Sequence, residues 1–213
     1  MQLITILNHC HKFKRFVYKK ARWVETEAGQ VIEVTIEPRR NSRAICSQCE
    51  QEAPLYDRLQ QRRFEFIPLW GYTVFFLYLM RRVECAQCGV KVEQVPWAGG
   101  KRELTNTYMQ FLAHWAQKLS WQEVAVSFRT RWEKVFHAVE YIVQWGLAQR
   151  DLSAITAIGV DEIAWRKGHK YLILVYQIDV GQTRLLWIGK NRTTKTLLRF
   201  FRFFGEARSQ QLQ

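Results

Sequence analysis

The sequence predicts a mixed α+β protein of several domains, because its pattern changes character along the chain. The part before Pro96 is β-rich and carries two Cys-x-x-Cys pairs, and residues 104–146 have helical periodicity. Residues 154–204 contain three β-type runs and then an amphipathic helix. The clearest break is the segment that contains Pro96, Gly99 and Gly100. The predicted domains are 1–45 (a β-hairpin region), 46–97 (a cysteine module), 98–150 (a helical region) and 151–213 (a βββα region).

The composition indicates a folded and basic chain. Of the 213 residues, 48% are hydrophobic and 14% are aromatic, which supplies material for several cores and excludes global disorder. The net charge of +13 favours a polyanionic partner, of which double-stranded DNA is the leading candidate. A membrane surface is the alternative, but the longest apolar run, residues 72–80, is shorter than the ~20 residues that span a bilayer. No secretory signal pattern opens the sequence, so we expect a cytoplasmic protein with reduced thiols and no membrane partner.

The N-terminal half contains two pairs of β-type runs. Residues 15–25 and 30–40 read as strands around the turn-prone Glu27, Ala28 and Gly29, and they predict a hairpin. Residues 64–85 contain two further runs on either side of Gly71. The second of these leads directly into the last cysteine pair.

Four of the five cysteines form two Cys-x-x-Cys pairs, Cys46 with Cys49 and Cys85 with Cys88. Two residues between thiolates let a tight turn aim both sulfurs at one tetrahedral zinc ion, and a second turn completes a closed, structural site. Redox-active or merely buried thiol pairs are the alternative. Cys10, which His9 and His11 flank, reads as ordinary surface or strand sequence.

The helical region predicts three helices with short connections. Thr105 can cap a helix that runs through Leu119, with an apolar face formed by Tyr108, Phe111, Leu112, Trp115 and Leu119. Ser120 with Glu123, and Thr130 with Glu133, match the capping-box pattern, which implies a very short helix and then a longer one that stops at Gly146. The apolar face predicted for the longer helix consists of Trp132, Val135, Phe136, Val139 and Val143.

A short helix, a tight turn and a longer helix form the outline of a helix-turn-helix. Arg129, Arg131 and Lys134 lie at the start of the second helix, where contacts to a DNA groove are expected. An ordinary helical hairpin has the same outline, so this pattern leaves both readings open.

The last region predicts three strands, the middle one buried on both faces, and a helix that Thr193 or Thr194 caps and Gly205 ends. Asp161 follows the first strand, as an acid does where the ribonuclease H-like nucleotidyl-transfer fold begins. There it would bind a divalent metal ion, for which carboxylates are the natural ligands, and Glu162 would point to the opposite side. A turn, or an ion pair with Arg166 or Lys167, is the alternative. Asp179 and Glu206 read as structural.

Four segments closely resemble bacterial insertion-sequence transposases of the ISL-three family: "CSQC", "LWGYTVFFLYLMRRVECAQCG", "IGVDEIAWRKGHKYLILVYQID" and "RLLWIGKNRTTKTLLRFFRFFG". The resemblance implies an N-terminal zinc-binding region, a helix-turn-helix and a catalytic core with an Asp-Asp-Glu triad that uses magnesium or manganese. In that case Cys46, Cys49, Cys85 and Cys88 correspond to the zinc ligands. Asp161 corresponds to the first acid of the triad and is the expected catalytic and magnesium-binding residue.

Members of that family continue well beyond position 213, and the second and third acids lie in that continuation. We therefore expect a truncated transposase that binds the terminal inverted repeats of its element and is inactive alone. Its expected protein partner is a second copy of the chain or a full-length transposase. The alternative is a non-enzymatic zinc and helix-turn-helix protein that acts as a repressor or competitor of an intact transposase.

Overall fold

The computed structural model describes residues 2–27 and 29–212, which form two compact units, Met1–Ala148 and Gln149–Gln213. The mixed α+β class is confirmed. The elements of the first unit are α1 (Leu3–Cys10), β1 (Phe16–Thr26), β2 (Gly29–Pro38), β3 (Ala44–Ile45), β4 (Glu52–Ala53), β5 (Leu55–Leu69), β6 (Tyr72–Cys85), β7 (Gly89–Val92), α2 (Asn106–Trp115), α3 (Trp121–Ser127) and α4 (Trp132–Gln149). The finer division of this unit at positions 45 and 97 stays a prediction.

One five-stranded sheet organises the first unit, in the order β1-β2-β6-β5 with β7 paired to β6. The hairpin predicted for the N-terminal region is confirmed, since β1 and β2 pair antiparallel from Phe16 with Pro38 to Thr26 with Gly29. Ala28, which belongs to its predicted turn, lies outside the described residues. The two runs predicted on either side of Gly71 form β5 and β6, which pair antiparallel, and β2 runs parallel to β6. Trp97 is 1% exposed and packs edge-on against the rings of Phe16 and Tyr78, with centroids 4.9 and 5.2 Å away.

His9 and Cys10 lie at the surface, which is one of the two predicted alternatives. The segment is helical rather than a strand, since residues Leu3–Cys10 form α1, in which Leu7 is buried against the sheet core. The thiol of Cys10 is exposed and donates to the carbonyl oxygen of Ile6. The helix is about two turns long, too short for a clear periodicity, so its stability comes from packing rather than from its own sequence.

The starts of the first two helices are confirmed. Thr105 Oγ1 accepts a hydrogen bond from Tyr108 N at 3.2 Å, and Ser120 and Glu123 form the predicted capping box. α2 nevertheless ends at Trp115, earlier than the predicted Leu119. Its apolar face is confirmed only in part, because Tyr108 and Leu112 are buried but Trp115 is 39% exposed.

The second capping box, Thr130 with Glu133, is wrong. The amide of Thr130 donates to Ala125 O at 2.9 Å and that of Arg129 donates to Val126 O at 3.3 Å, which is the hydrogen-bond pattern of a Schellman motif. Arg129 has φ +50°, the left-handed conformation that this motif requires at its C′ position. Thr130 therefore belongs to the end of α3 and does not cap α4.

α4 also differs from its prediction in length and in buried face. It continues through Gly146 to Gln149, and a glycine inside a helix costs only about 1 kcal/mol relative to alanine. Val135 is fully buried as predicted, whereas Trp132 and Val143 are 44% and 50% exposed. No described helix is long and apolar enough to cross a membrane.

The second unit contains β8 (Ile158–Arg166), β9 (Lys170–Asp179), β10 (Gln182–Lys190), α5 (Thr194–Phe204) and α6 (Glu206–Ser209). The strands form an antiparallel sheet in the order β10-β9-β8, so β9 is central as predicted. Thr193 Oγ1 caps α5 by accepting from Thr196 N, and Gly205, with φ +89°, follows its end. Phe200 and Phe204 of α5 pack on one face of the sheet.

Candidate metal centre, helix-turn-helix and acidic strand

The two cysteine pairs converge on one point. The sulfur atoms of Cys46, Cys49, Cys85 and Cys88 all lie within 4.8 Å of one another, and those of Cys49 and Cys85 are 3.5 Å apart. Four sulfurs around a tetrahedral zinc ion, with Zn–S bonds of about 2.3 Å, are separated by about 3.8 Å. The donor set and its spacing therefore fit a structural zinc ion without an open coordination position.

The same local backbone conformation follows each cysteine pair. The residue after each pair, Glu50 in the first and Gly89 in the second, has a left-handed φ of +60° and +69°. In the first turn Cys46 N donates to Gln51 O and Glu50 N donates to Cys46 O, at 2.8 and 3.0 Å. This backbone geometry turns both sulfurs of a pair toward the same side.

The pKa is lowered at two of the four sulfurs, and backbone amides are the largest cause at both. The N–H groups of Gln87 and Cys88 lower the pKa of Cys85 to about 7, and those of Cys49 and Gln48 lower the pKa of Cys46. Burial, together with the neighbouring sulfurs, raises the pKa of Cys88 to about 12. Four anionic sulfurs cannot share this volume without a cation among them, so the cluster is suited to a dication.

A buried ion pair between Arg81 and Glu93 lies next to the first cysteine turn. The side chain of Glu93 is fully buried and accepts from Arg81 Nη2 at 2.7 Å and from Tyr78 OH at 2.6 Å. Glu93 N donates to Arg81 O, and Glu93 forms a β-bridge with Cys46. This network connects β6 to the first cysteine turn. It was missed from the sequence, where no local pattern marks Glu93.

The three residues predicted to contact DNA lie around the turn between α3 and α4, and their surroundings differ. Arg131 is exposed and has no ion-pair partner among residues 2–27 and 29–212. Arg129 donates to Gly71 O at 3.4 Å. Lys134 forms an ion pair with Glu65, which is 7% exposed. The structure thus anchors this turn to the β5–β6 hairpin, a contact that the sequence does not reveal.

Asp161 lies inside a strand rather than after one, which corrects its predicted position. β8 continues from Ile158 to Arg166, and Asp161 pairs with Leu174 of the central strand. The neighbours Ile173 and Val175 belong to the core that α5 covers. Because side chains alternate along a strand, Asp161 lies on the face of the sheet opposite to α5.

The carboxylate of Asp161 is exposed, and within the described residues it forms no ion pair with Arg166 or Lys167. In the described part of the chain, its Oδ1 accepts one hydrogen bond, from the adjacent Glu162 N at 2.7 Å. Glu162 lies on the other face, as expected for a continuing strand, with an oxygen 3.6 Å from Arg192 Nη1. Among the residues that the structure describes, the cysteine quartet is the one group of three or more metal-ligating side chains, and Asp161 does not belong to it.

Asp179 has the structural surroundings expected of it. Its carboxylate accepts from Thr156 Oγ1 at 2.5 Å, Ala157 N at 3.0 Å and Gln177 Nε2 at 2.7 Å. These hydrogen bonds, those of Thr156 and Gln177 above all, lower the pKa of Asp179. The residue fastens the segment before β8 to the β9–β10 hairpin.

Comparison with known proteins identifies the class of protein that this chain resembles, the transposases of insertion sequences. It is 26% identical over 196 residues to the transposase for insertion sequence element IS1001 of Bordetella parapertussis. It is 29% identical over 205 residues to that for IS1557 of Mycobacterium tuberculosis. These alignments cover 92% and 93% of this chain but only 47% and 45% of the relatives, so the chain spans about half their length.

A family model also matches part of the chain, and it belongs to the family that the sequence motifs resemble. The family model of ISL3 transposases, described as "Transposase", matches residues 158–213. This range includes β8, the strand that contains Asp161. The resemblance to the ISL-three family is thereby confirmed. No solved structure matches the chain.

Proposed function

We propose that this chain is a transposase polypeptide of an insertion sequence and that it binds the terminal inverted repeats of its element as double-stranded DNA. The observation that carries the proposal is the similarity of more than nine-tenths of the chain to transposases, with the family match on its last 56 residues. The net charge of +13 supports it, because each neutralised phosphate releases a counterion. We further propose a cytoplasmic location and a second copy of the chain, or a full-length transposase, as protein partner.

In this proposal each part of the first unit has a separate task. Zinc on the four cysteines holds the turn between β6 and β7 to the turn between β3 and β4, and it has no catalytic role. Arg129, Arg131 and Lys134 contact DNA from the helix-turn-helix. Arg131 contributes most, since the other two cations also have contacts within the protein.

For the second unit we propose the opening βββα part of a ribonuclease H-like core, with Asp161 as its first catalytic carboxylate and a ligand of magnesium or manganese. The carboxylate of Asp161 is exposed and has no ion pair within the described residues, which supports this role because a carboxylate held by a guanidinium would not be available to a cation. A single carboxylate does not hold two metal ions, so the 213-residue chain alone should neither cut nor join DNA. Magnesium-dependent nicking by the purified chain that Asp161→Ala abolishes would contradict this.

A gel-shift titration tests the proposed binding. The probe is a duplex of the inverted repeats that flank the coding sequence, and the control is the same bases in scrambled order. We expect tighter binding to the repeat, affinity that falls steeply with salt, and a log–log salt slope that Arg131→Ala reduces by about 1. Equal binding to both duplexes would mean that the chain binds DNA through its charge alone and does not recognise the sequence of the transposon ends.

A further inference from the structure

The tip of the β5–β6 hairpin displays a tryptophan where turn geometry disfavours one. Trp70 and Gly71 form a two-residue turn between the paired Leu69 and Tyr72, and both have positive φ, +50° and +82°. Such turns favour Asn-Gly, since a bulky residue is strained in the left-handed region. The Trp70 side chain is nevertheless 79% exposed, so no core packing offsets the strain. Strain held at an exposed position indicates a binding role.

Trp70 forms one wall of a cavity of about 470 Å³ at the open end of the sheet core. Trp23 also lines the cavity; it is 57% exposed, and its ring centroid is 4.7 Å from that of Tyr72, with the planes at 79°. The apolar residues of the lining include Ile4 and Ile32. We call this cavity, lined by Trp23, Trp70, Ile4 and Ile32, the aromatic pocket.

The rim of the aromatic pocket is cationic. Lys19, Lys20 and Arg22 line it, and no acidic side chain does so among the described residues. Arg22 is paired with Glu33 at 2.8 Å and Lys19 is 3.6 Å from Glu37, while Lys20 has no ion pair in the part of the chain that the structure describes. The lining therefore combines two tryptophans with cationic residues, and of these cations Lys20 is the one without an ion pair among the described residues.

From this combination we propose that the aromatic pocket binds an unpaired base of single-stranded DNA, with the base stacked on Trp70 and Trp23 and its phosphates on the lysines. Stacking on aromatic side chains beside a basic groove is how proteins hold single strands. A base pair inside a duplex cannot enter, because its faces are covered by its neighbours. A purely apolar peptide would leave Lys20, which has no ion pair among the described residues, without a partner.

The position of the tip relative to the proposed duplex-binding turn fits this assignment. Arg129, in the turn between α3 and α4, donates to Gly71 O at 3.4 Å, so the two features are adjacent. A strand that separates beside a duplex held by the helix-turn-helix would meet Trp70 first. The inference rests on the proposed DNA binding, and it deepens it by assigning a second, single-strand site.

The test is fluorescence anisotropy with labelled oligodeoxyuridine of about ten nucleotides, within the ~4–16 nucleotides that such sites cover. Trp70→Asn is the main variant, because Asn-Gly suits the turn and removes the ring without harming the hairpin. We expect Trp70→Asn and Trp23→Ala each to weaken single-strand binding by about 5- to 150-fold, the equivalent of about 1–3 kcal/mol per stacked base. Trp145→Ala, which removes a tryptophan 58% exposed on α4, is the matched control and should change binding less than twofold.

Duplex binding is measured on the same proteins, so that the two proposals fail separately. Trp70→Asn should leave affinity for the inverted-repeat duplex within about twofold, whereas Arg131→Ala should lower it. Unchanged single-strand binding by Trp70→Asn, or an equal loss in Trp145→Ala, would overturn the inference whatever the duplex result. Oligouridine of the same length distinguishes the sugar, and tighter binding to it would overturn the assignment to DNA.

Discussion

The ion pair between Arg81 and Glu93 gives the sharpest prediction for stability. The side chains are 12% and 0% exposed, and the Glu93 carboxylate receives both Arg81 Nε and Nη2, at 3.0 and 2.7 Å, in addition to the hydroxyl of Tyr78. Glu93→Ala leaves a buried guanidinium without its anion. Because such a charge is desolvated without compensation, we expect the free energy of unfolding to fall by about 3–5 kcal/mol.

The assay is urea denaturation of the zinc-loaded protein, followed by circular dichroism. The neighbouring pair of Arg82 and Asp57 is the control, since both of its side chains are 38% exposed and Arg82→Ala should cost no more than about 1 kcal/mol. Arg81→Met combined with Glu93→Met should recover most of the loss, because it removes both charges together. A Glu93→Ala cost no larger than that of Arg82→Ala would refute the reasoning.

Three further predictions concern separate parts of the fold. Removal of zinc by a chelator, or Cys85→Ser, should unfold the cysteine module, seen as lost protection from proteolysis, and protection unchanged by either would exclude a structural metal. Arg129→Gly should raise the free energy of unfolding by about 0.5–1 kcal/mol in urea denaturation, because glycine has no strain at the left-handed C′ position, and a decrease would contradict the Schellman assignment. Asp179 has a lowered pKa when folded, so its contribution to stability is present above its unfolded pKa of about 3.9 and is lost as pH falls through the folded value. Asp179→Asn should therefore flatten the acid limb of a pH-dependent melting curve, and an unaltered limb would show that its hydrogen bonds do not favour the charged form.

Local signals in the sequence were sufficient for most of the elements. Hairpins, helix caps and the paired cysteines depend on residues within a few positions of one another, so the strands around Gly71 and the caps at Thr105, Ser120 and Thr193 could be predicted. The prediction of a second capping box was wrong because of the backbone conformation of a single neighbouring residue. Arg129 adopts the left-handed conformation that usually marks a glycine, and the backbone bonds of Thr130 then close α3 instead of opening α4.

Contacts between residues far apart in the chain could not be predicted from the sequence. Glu65 and Lys134 are 69 positions apart, and nothing near either residue indicates that they pair. The length of β8 also depends on a contact between distant positions. Asp161 and Glu162 would suit a turn, but their pairing with Leu174 and Ile173 of β9 keeps them in the strand. The four cysteines could be predicted as a site because their spacing is itself the signal, whereas the tryptophans of the aromatic pocket come from two separate hairpins.

Hydroxyl-radical footprinting of the purified chain on a fragment that contains both ends of the element tests the central claim most directly. If the chain recognises transposon ends, protection will be confined to the inverted repeats and will disappear in the Arg131→Ala protein at the same concentration. Protection spread evenly along the fragment, or its persistence in Arg131→Ala, would contradict the account.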